Sequence, residues 1–135
     1  MLQISTQDNY AIDSEKGLGA NSLALTGKHF VVKANGVVSK AVAGGVISGV
    51  NYTETTFASD NQTVAKATVE FEPARTENRY QVTFDADIAQ TDEGKFYDLV
   101  DSENVDVATA SATTGQVQLT QFVSAREGIV TIVNA

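Results

Sequence analysis

A strict alternation of apolar and polar residues in two stretches near the middle of the chain constrains its fold most. In residues 64–72, Ala, Ala, Val and Phe occupy every second position, and in residues 79–86 Tyr, Val, Phe and Ala do the same. Successive side chains of a strand point to opposite faces, so this period of two predicts strands with one buried and one solvated face. The short turn-like segment 73–78 between them predicts an antiparallel hairpin.

A second hairpin is predicted earlier in the chain. His29–Ala34 and Val37–Ala41 are rich in β-branched residues, and Asn35-Gly36 separates them. Asn-Gly suits a two-residue hairpin turn because both positions accept a positive φ. After a glycine-rich break, the apolar run Val46–Val50 predicts a short buried strand.

Four further strands are predicted around turns at 101–104 and 125–128; they cover residues 95–100, 105–108, 116–123 and 129–133. Helical evidence is confined to Asp13–Gly17, which predicts at most one turn ended by glycine. The fold class predicted is therefore all-β: a single-domain β-sandwich or partly closed barrel of about eight or nine short strands with little helix.

Residues 1–21 differ from the rest because they mix polar groups with isolated apolar side chains. We predict that they form an extended N-terminal arm, joined to an all-β body over residues 22–135. Such a segment gains order by lying along the sheet edge of a neighbour. The residues predicted to bind this partner are Leu2, Ile4, Tyr10 and Ile12.

The core is predicted from the apolar positions on the inward faces of the strands. These are Val31, Val46, Ile47, Val50, Val69, Phe71, Tyr80, Val82, Phe84, Leu99, Leu119, Phe122, Ile129 and Ile132.

The net charge of −8 lies entirely in residues 69–135, and residues 85–106 contain eight acids against the single cation Lys95. Such a surface repels phosphate backbones and anionic headgroups, so we expect no nucleic-acid partner and no membrane partner. A solvated face, a divalent-cation site and a basic protein partner stay open for the acidic segment. No apolar run of membrane-spanning length and no signal peptide is visible, so synthesis in the cytoplasm is expected.

Few residues point to catalysis. With no cysteine, disulfides, zinc–thiolate sites and iron–sulfur clusters are excluded. The single histidine, His29, begins a predicted strand and no G-x-S-x-G motif accompanies it, so a surface or strand-edge position is expected. Two acids of the acidic segment would suit glycoside hydrolysis, but the chain has no tryptophan to form a sugar platform. We expect no catalytic residue, no cofactor, no metal and no enzymatic activity.

One ordered set of strand and turn residues runs through residues 25–133. It consists of Phe30-Val31-Val32, Asn35-Gly36-Val37, Gly45-Val46-Ile47, Gly49-Val50, Glu93-Gly94-Lys95, Tyr97–Asp101, Val105-Asp106, Gly115-Gln116, Leu119-Thr120 and Phe122–Ala125. This pattern resembles the small all-β decoration, or cement, proteins of tailed-bacteriophage heads.

The resemblance implies a non-enzymatic virion protein, made in the host cytoplasm, that binds the outer surface of the expanded capsid. Its implied partners are the major capsid protein and copies of itself, as a trimer or another oligomer. Two other classes stay open: a tail-tube or head–tail module of a virion, and a surface or carbohydrate-binding β-sandwich. The missing tryptophan and signal peptide count against the last.

Overall fold

The computed structural model describes residues 2–6 and 14–134, and these residues confirm the predicted all-β fold. Its helical parts are one π-helical turn, Asn61–Ala65, and one 3-10 turn, Gln90–Asp92. The eleven strands of this described part are β1 (Gln3–Thr6), β2 (Glu15–Gly19), β3 (Phe30–Ala34), β4 (Val37–Lys40), β5 (Gly49–Asn51), β6 (Thr68–Pro73), β7 (Arg79–Phe84), β8 (Phe96–Leu99), β9 (Asn104–Ser111), β10 (Val117–Ser124) and β11 (Glu127–Ile132).

Strands β2 to β6 form a closed barrel in the order β2-β4-β3-β5-β6, here called the N-terminal barrel (residues 15–73). The pairing of β2 with β4 is parallel, and the other four pairings are antiparallel. Closure satisfies the backbone hydrogen-bonding groups that an open sheet would leave at its two edges.

Strands β7 to β11 form a second ring of pairings in the order β7-β11-β10-β8-β9, and a parallel pairing of β9 with β7 closes it. This ring is called the C-terminal barrel (residues 79–132). When the five strands of each ring are counted in chain order, the two rings have the same arrangement. In both, the first strand pairs in parallel with the third, and the second strand lies between the third and the fourth. The chain therefore builds the same ring twice, with β1 added to the outer edge of β7.

Two clusters of buried apolar side chains fill the molecule. The smaller belongs to the N-terminal barrel alone and contains Leu23, Leu25, Val31, Val38, Phe57, Val69 and Phe71. The larger contains the core of the C-terminal barrel together with Phe30, Ala41, Ile47 and Val50 of the N-terminal barrel. Because neighbouring residues of a strand face opposite ways, β3 directs Val31 into one cluster and Phe30 into the other.

The seam between the barrels combines aromatic packing with buried polar groups. Phe30 packs edge-to-face on Tyr80, with ring centroids 6.0 Å apart. Beside them the buried carboxylate of Glu72 accepts hydrogen bonds from the Tyr80 hydroxyl, from Asn78 Nδ2 at 3.0 Å and from the Tyr52 hydroxyl at 3.2 Å. Burial, reinforced by the bond to Glu72, raises the pKa of Tyr80 far above its usual value.

The predicted hairpin between residues 64–72 and 79–86 is wrong. Strand β6 lies in the N-terminal barrel and β7 in the C-terminal barrel. Both edges of β6 are already paired, one with β2 and the other with β5, so no edge is left for β7. The beginning of the predicted strand is also different, because residues 61–65 form the π-helical turn and Lys66 has a left-handed φ of 53°.

The single helical turn predicted to end at Gly17 is also wrong, since Glu15–Gly19 is β2. Its pairing with β6 and β4 outweighs the weak local preference for a turn.

Three predicted core residues are not buried. Val46 lies in an exposed loop before β5, and Phe122 and Ile129 are only partly buried. Phe122 lies opposite Gly128, beyond an irregularity in the β10–β11 pairing that follows Leu119, and it packs against the larger core cluster while staying only partly buried. The other predicted core residues are buried.

The second predicted hairpin is confirmed: β3 and β4 pair across Asn35 and Gly36, whose φ values are 53° and 79°. The turns predicted at 101–104 and 125–128 also lie between paired strands, β8 and β9 and then β10 and β11, but they are shorter than predicted because β9 begins at Asn104 and β11 at Glu127.

Candidate functional site

The residues predicted to bind a partner have different positions in the structure. Leu2 is completely buried in the larger core cluster, so it presents no surface. Ile4 lies in β1, opposite Tyr80 of β7. Tyr10 and Ile12 lie outside the described residues. Residues 1–21 were expected to form an arm separate from the body. In the described part of this segment, β1 pairs with the C-terminal barrel and β2 is a strand of the N-terminal barrel.

A cleft of about 320 Å³ opens at the seam between the barrels. One wall is formed by residues 40–43, which follow β4, and the other by residues 100–103, the turn between β8 and β9. The Phe30 N–H donates to the carbonyl oxygen of Ser102 at 2.8 Å, and the Phe30 carbonyl oxygen accepts from the Ala41 N–H at 2.9 Å, so this residue of β3 connects the two walls.

Exposed apolar side chains line both walls of this cleft. Val42 is 64% exposed and Val100 is 45% exposed, and Ala43 is exposed as well. We call these three side chains the seam patch: Val42, Ala43 and Val100. The other exposed large hydrophobic side chains among the described residues do not line the cleft; they are Val46, Val64, Val123 and Val133.

The buried side chain of Gln116 holds the seam patch in place. Its Nε2 donates to the carbonyl oxygens of Val42 at 2.9 Å and Gly45 at 2.6 Å, and its Oε1 accepts from the N–H groups of Gly44 and Leu99, each at 2.8 Å. One amide from the C-terminal barrel thus satisfies the backbone of the loop that carries Val42. The patch is therefore a fixed surface rather than the tip of an unsupported loop.

Asn134 secures the other end of this loop. Its carbonyl oxygen accepts from the Ile47 N–H at 2.9 Å, and its Nδ2 donates to the Gly45 carbonyl at 3.2 Å.

His29 lies behind the cleft and directly precedes β3. Of the expected surface or strand-edge position, the surface position is wrong, because the residue is only 2% exposed. Its Nδ1 lies 2.8 Å from Ser102 Oγ and 3.6 Å from a Glu103 carboxylate oxygen, and its Nε2 lies 3.3 Å from the Thr26 carbonyl oxygen. In a Ser–His–acid triad the serine and the acid contact opposite ring nitrogens. Here both approach Nδ1, which is the arrangement of a structural bridge.

Opposite charges face each other across the cleft mouth. Lys40 lies on one wall and Asp101 and Glu103 on the other. Partial burial acts to raise the pKa of Asp101, but hydrogen bonds from the Glu103 N–H and from Asn104 outweigh burial and lower it. Asp101 is therefore an ionised acceptor at neutral pH, and the cleft presents charged and apolar side chains together.

Each of the eight acids of residues 85–106 has a hydrogen-bonding or charged neighbour within the chain. The pairs are Asp85 with Val107 N–H, Asp87 with Arg126, Asp92 with Lys95, Glu93 with Phe122 N–H, Asp98 with Gln116 N–H, Asp101 with Asn104, Glu103 with His29, and Asp106 with Ala108 N–H. Within residues 2–6 and 14–134, no three His or carboxylate groups are arranged to hold a metal ion.

Val42 and Val100 were absent from the sequence-based candidates. Each ends a run that reads as a strand, and nothing in the local pattern distinguishes an exposed valine from a buried one there. The glycines of Gly44-Gly45 were the available signal, because a turn at that point places the preceding Val42 and Ala43 outside the strand ladder.

No family model matches this sequence, and no match to it is found among the curated proteins. Among the described helical segments, none is long and apolar enough to cross a membrane.

Proposed function

We propose that this chain is a structural protein of a tailed-bacteriophage virion that binds the major capsid protein on the outer surface of the capsid and stabilises the shell. It acts without catalysis and without a cofactor. After synthesis in the host cytoplasm it adds to the expanded head, and its partners are capsid subunits and further copies of itself.

The observation that carries the proposal is the seam patch. Its apolar side chains are exposed on a surface that Gln116 and Asn134 hold from behind. A rigid patch loses little conformational entropy on binding, so more of the contact energy appears as affinity. The exposed valines lie beside the charged side chains of Lys40, Asp101 and Glu103, and protein–protein interfaces combine apolar and polar groups in this way.

The closed barrels support the same proposal. Each ring leaves few free strand edges, so the molecule can present a binding surface without pairing indiscriminately with other sheets. On a shell with many identical sites, contacts that are weak singly become stable when several copies bind as a linked set. The resemblance over residues 25–133 to phage decoration proteins is the reason for proposing that this shell is a tailed-phage capsid.

A sedimentation assay with undecorated expanded heads of the phage that encodes the chain tests this proposal. We expect the wild-type protein to sediment with the heads. The double variant Val42→Asp/Val100→Asp replaces both valines of the seam patch with charged side chains. We expect it to bind the heads about tenfold more weakly or worse. The matched control is Val64→Asp/Val123→Asp, which changes two exposed valines outside the seam patch and leaves binding intact.

Equal loss of binding in both double variants contradicts the role of the seam patch. If wild-type protein ignores the heads and forms rings or tubes alone, the tail-tube or head–tail class replaces decoration. If it neither binds heads nor assembles, the virion proposal fails. Far-UV circular dichroism of each variant establishes that the fold is retained.

A further inference from the structure

Strand β1 is attached to a barrel that is complete without it. The ring β7-β11-β10-β8-β9 closes through the pairing of β9 with Thr83 and Phe84 of β7. This pairing uses only the end of that edge of β7. The remainder, residues 79–81, is occupied by β1.

The site that holds β1 has two components. Its first is the open backbone edge of β7, on which Gln3 lies opposite Gln81 and Ile4 opposite Tyr80. Its second is an apolar socket in the larger core cluster, where Leu2 is completely buried. A backbone edge beside a side-chain socket is the arrangement by which proteins capture an extended peptide as an added strand.

We propose that this edge and socket form a strand-acceptor site that takes residues 2–6 of a second copy of the chain, so that neighbouring copies exchange β1. The sequence that fits the site is given by the structure itself, since residues 2–6 occupy it. The same segment from another copy makes the same backbone bonds and fills the same socket. Exchange between identical copies therefore changes the connection and not the contacts.

The connection between β1 and β2 makes exchange feasible. Strand β2 belongs to the N-terminal barrel, so β1 is covalently joined to the barrel opposite the one that holds it. Residues 7–14 make this connection, and eight extended residues span at most about 26–29 Å. That length limits how far apart two exchanging copies can lie.

Whether the site holds the chain's own β1 or the β1 of another copy depends on protein concentration. A short tether gives the chain's own β1 an effective concentration on the order of millimolar, so its own strand wins in dilute solution. Copies held side by side on a shell meet at comparable local concentrations. The setting on a shell rests on the proposed function, whereas the site and its test in solution do not.

Two single-cysteine variants test the exchange, in a chain that has no cysteine of its own. The substitutions are Gln3→Cys on β1 and Gln81→Cys on β7, at positions that lie opposite each other. Directly opposed residues of antiparallel strands have Cα atoms about 4.5–5.5 Å apart, within the range a disulfide spans. The two purified variants are mixed at high concentration, incubated and oxidised, and the linked peptides are identified by mass spectrometry.

We expect a disulfide between positions 3 and 81 of different chains, in amounts that rise with protein concentration, because only exchange brings these two chains together in this register. The control mixture is Val32→Cys with Ser39→Cys, an opposed pair of the β3–β4 hairpin. Its two-residue turn does not allow exchange, so we expect its link to be on the order of tenfold rarer.

Adding Leu2→Asp to the Gln3→Cys chain removes the side chain that fills the socket, and we expect the disulfide between positions 3 and 81 to fall to the control level. A link no more abundant than the control at every concentration overturns strand exchange. So does dimerisation that Leu2→Asp leaves unchanged. Neither result bears on capsid binding, which the sedimentation assay measures separately.

Discussion

The two barrels share a ring order and differ in what fills and surrounds them. The N-terminal barrel carries five acidic and five basic residues, whereas the C-terminal barrel carries nine acidic and three basic ones. The apolar cluster inside the N-terminal barrel is entirely its own, while the larger cluster draws four residues from the neighbouring barrel. A ring order is thus compatible with very different contents, because it is set by backbone pairing.

The difference also shows that the barrels are unequal partners. Strands β3 and β5 place Phe30 and Val50 on the outside of the N-terminal barrel, where the C-terminal barrel covers them. An isolated N-terminal barrel would expose these side chains to water, at a cost of about 25 cal/mol for each Å² of apolar surface. We therefore expect a substitution in the smaller cluster to destabilise the N-terminal barrel alone, and a substitution in the larger cluster to destabilise both barrels together.

The largest effect is expected for Phe84→Ala, in the larger cluster. Phe84 is completely buried and packs edge-to-face on Tyr97, with ring centroids 5.3 Å apart. The resulting cavity costs about 3–5 kcal/mol of unfolding free energy. Because the cluster includes residues of both barrels, hydrogen exchange should quicken in both, as measured by mass spectrometry of peptides.

The matched change in the small cluster is Phe57→Ala. Phe57 is also buried, and no member of its cluster lies outside the N-terminal barrel. Here exchange should quicken in residues 15–73 more than in residues 79–132. Uniform quickening by both variants would show that the molecule has one indivisible core.

A smaller effect is expected at the seam for Tyr80→Phe. Loss of the hydroxyl deprives the buried Glu72 carboxylate of one donor and costs about 1–3 kcal/mol at neutral pH, measured by chemical denaturation. Tyr52→Phe is the control, because its hydroxyl bonds the same carboxylate at 3.2 Å from a more exposed position. Its effect should be smaller.

The raised pKa of Tyr80 predicts that the stability of the protein depends on pH in the alkaline range. The pKa of Tyr80 is raised by burial and by Glu72, whereas in the unfolded chain it is about 10. Below pH 10 both states keep the proton, so Tyr80 adds no pH dependence. Above pH 10 the unfolded state releases it and the folded state does not. Stability therefore falls by about 1.4 kcal/mol per pH unit.

Tyr80→Phe lacks this contribution, so the stability difference between wild type and variant should narrow as the pH rises above 10. A difference that stays constant from pH 9 to 11 would mean that Tyr80 ionises normally in the folded protein. Tyr97, whose pKa burial also raises, is present in both proteins and cancels.

The smallest effects are expected for Gly36→Ala and Gly94→Ala, one in each barrel. Their φ values are 79° and 94°, and an added Cβ meets no atom within 4 Å at either position. Each change therefore measures backbone strain alone, about 1–2 kcal/mol, in thermal melting. A much larger loss at Gly36 would show that its turn controls closure of the N-terminal barrel.

Alternation in the sequence predicted the strands well and their neighbours poorly. Val69 and Phe71, and also Tyr80, Val82 and Phe84, face inward as their period of two requires. That period says nothing about which edges are free, so β6 and β7 were paired wrongly. Only the β3–β4 hairpin was predicted with its partner, because Asn35-Gly36 carries the pairing in its local turn geometry.

The seam was less predictable than the strands. His29, Glu72 and Gln116 are buried where the two barrels meet, which no local pattern reveals. The same docking makes Phe30 a core residue although it faces out of its own barrel. A sequence window that spans one hairpin contains residues of one barrel and lacks the residues of the other barrel that cover them.

The separation of β1 from β7 along the chain determines the order in which the molecule can be completed during synthesis. Gln3 leaves the ribosome well before its partner Gln81, which follows only after the whole N-terminal barrel has been translated. Nascent domains fold as they emerge, so the N-terminal barrel can close while Phe30, Ile47 and Val50 are still uncovered. Strand β1 is then made before its binding edge exists, and a half-finished chain presents both a loose strand and an apolar face to chaperones and to its neighbours on the polysome.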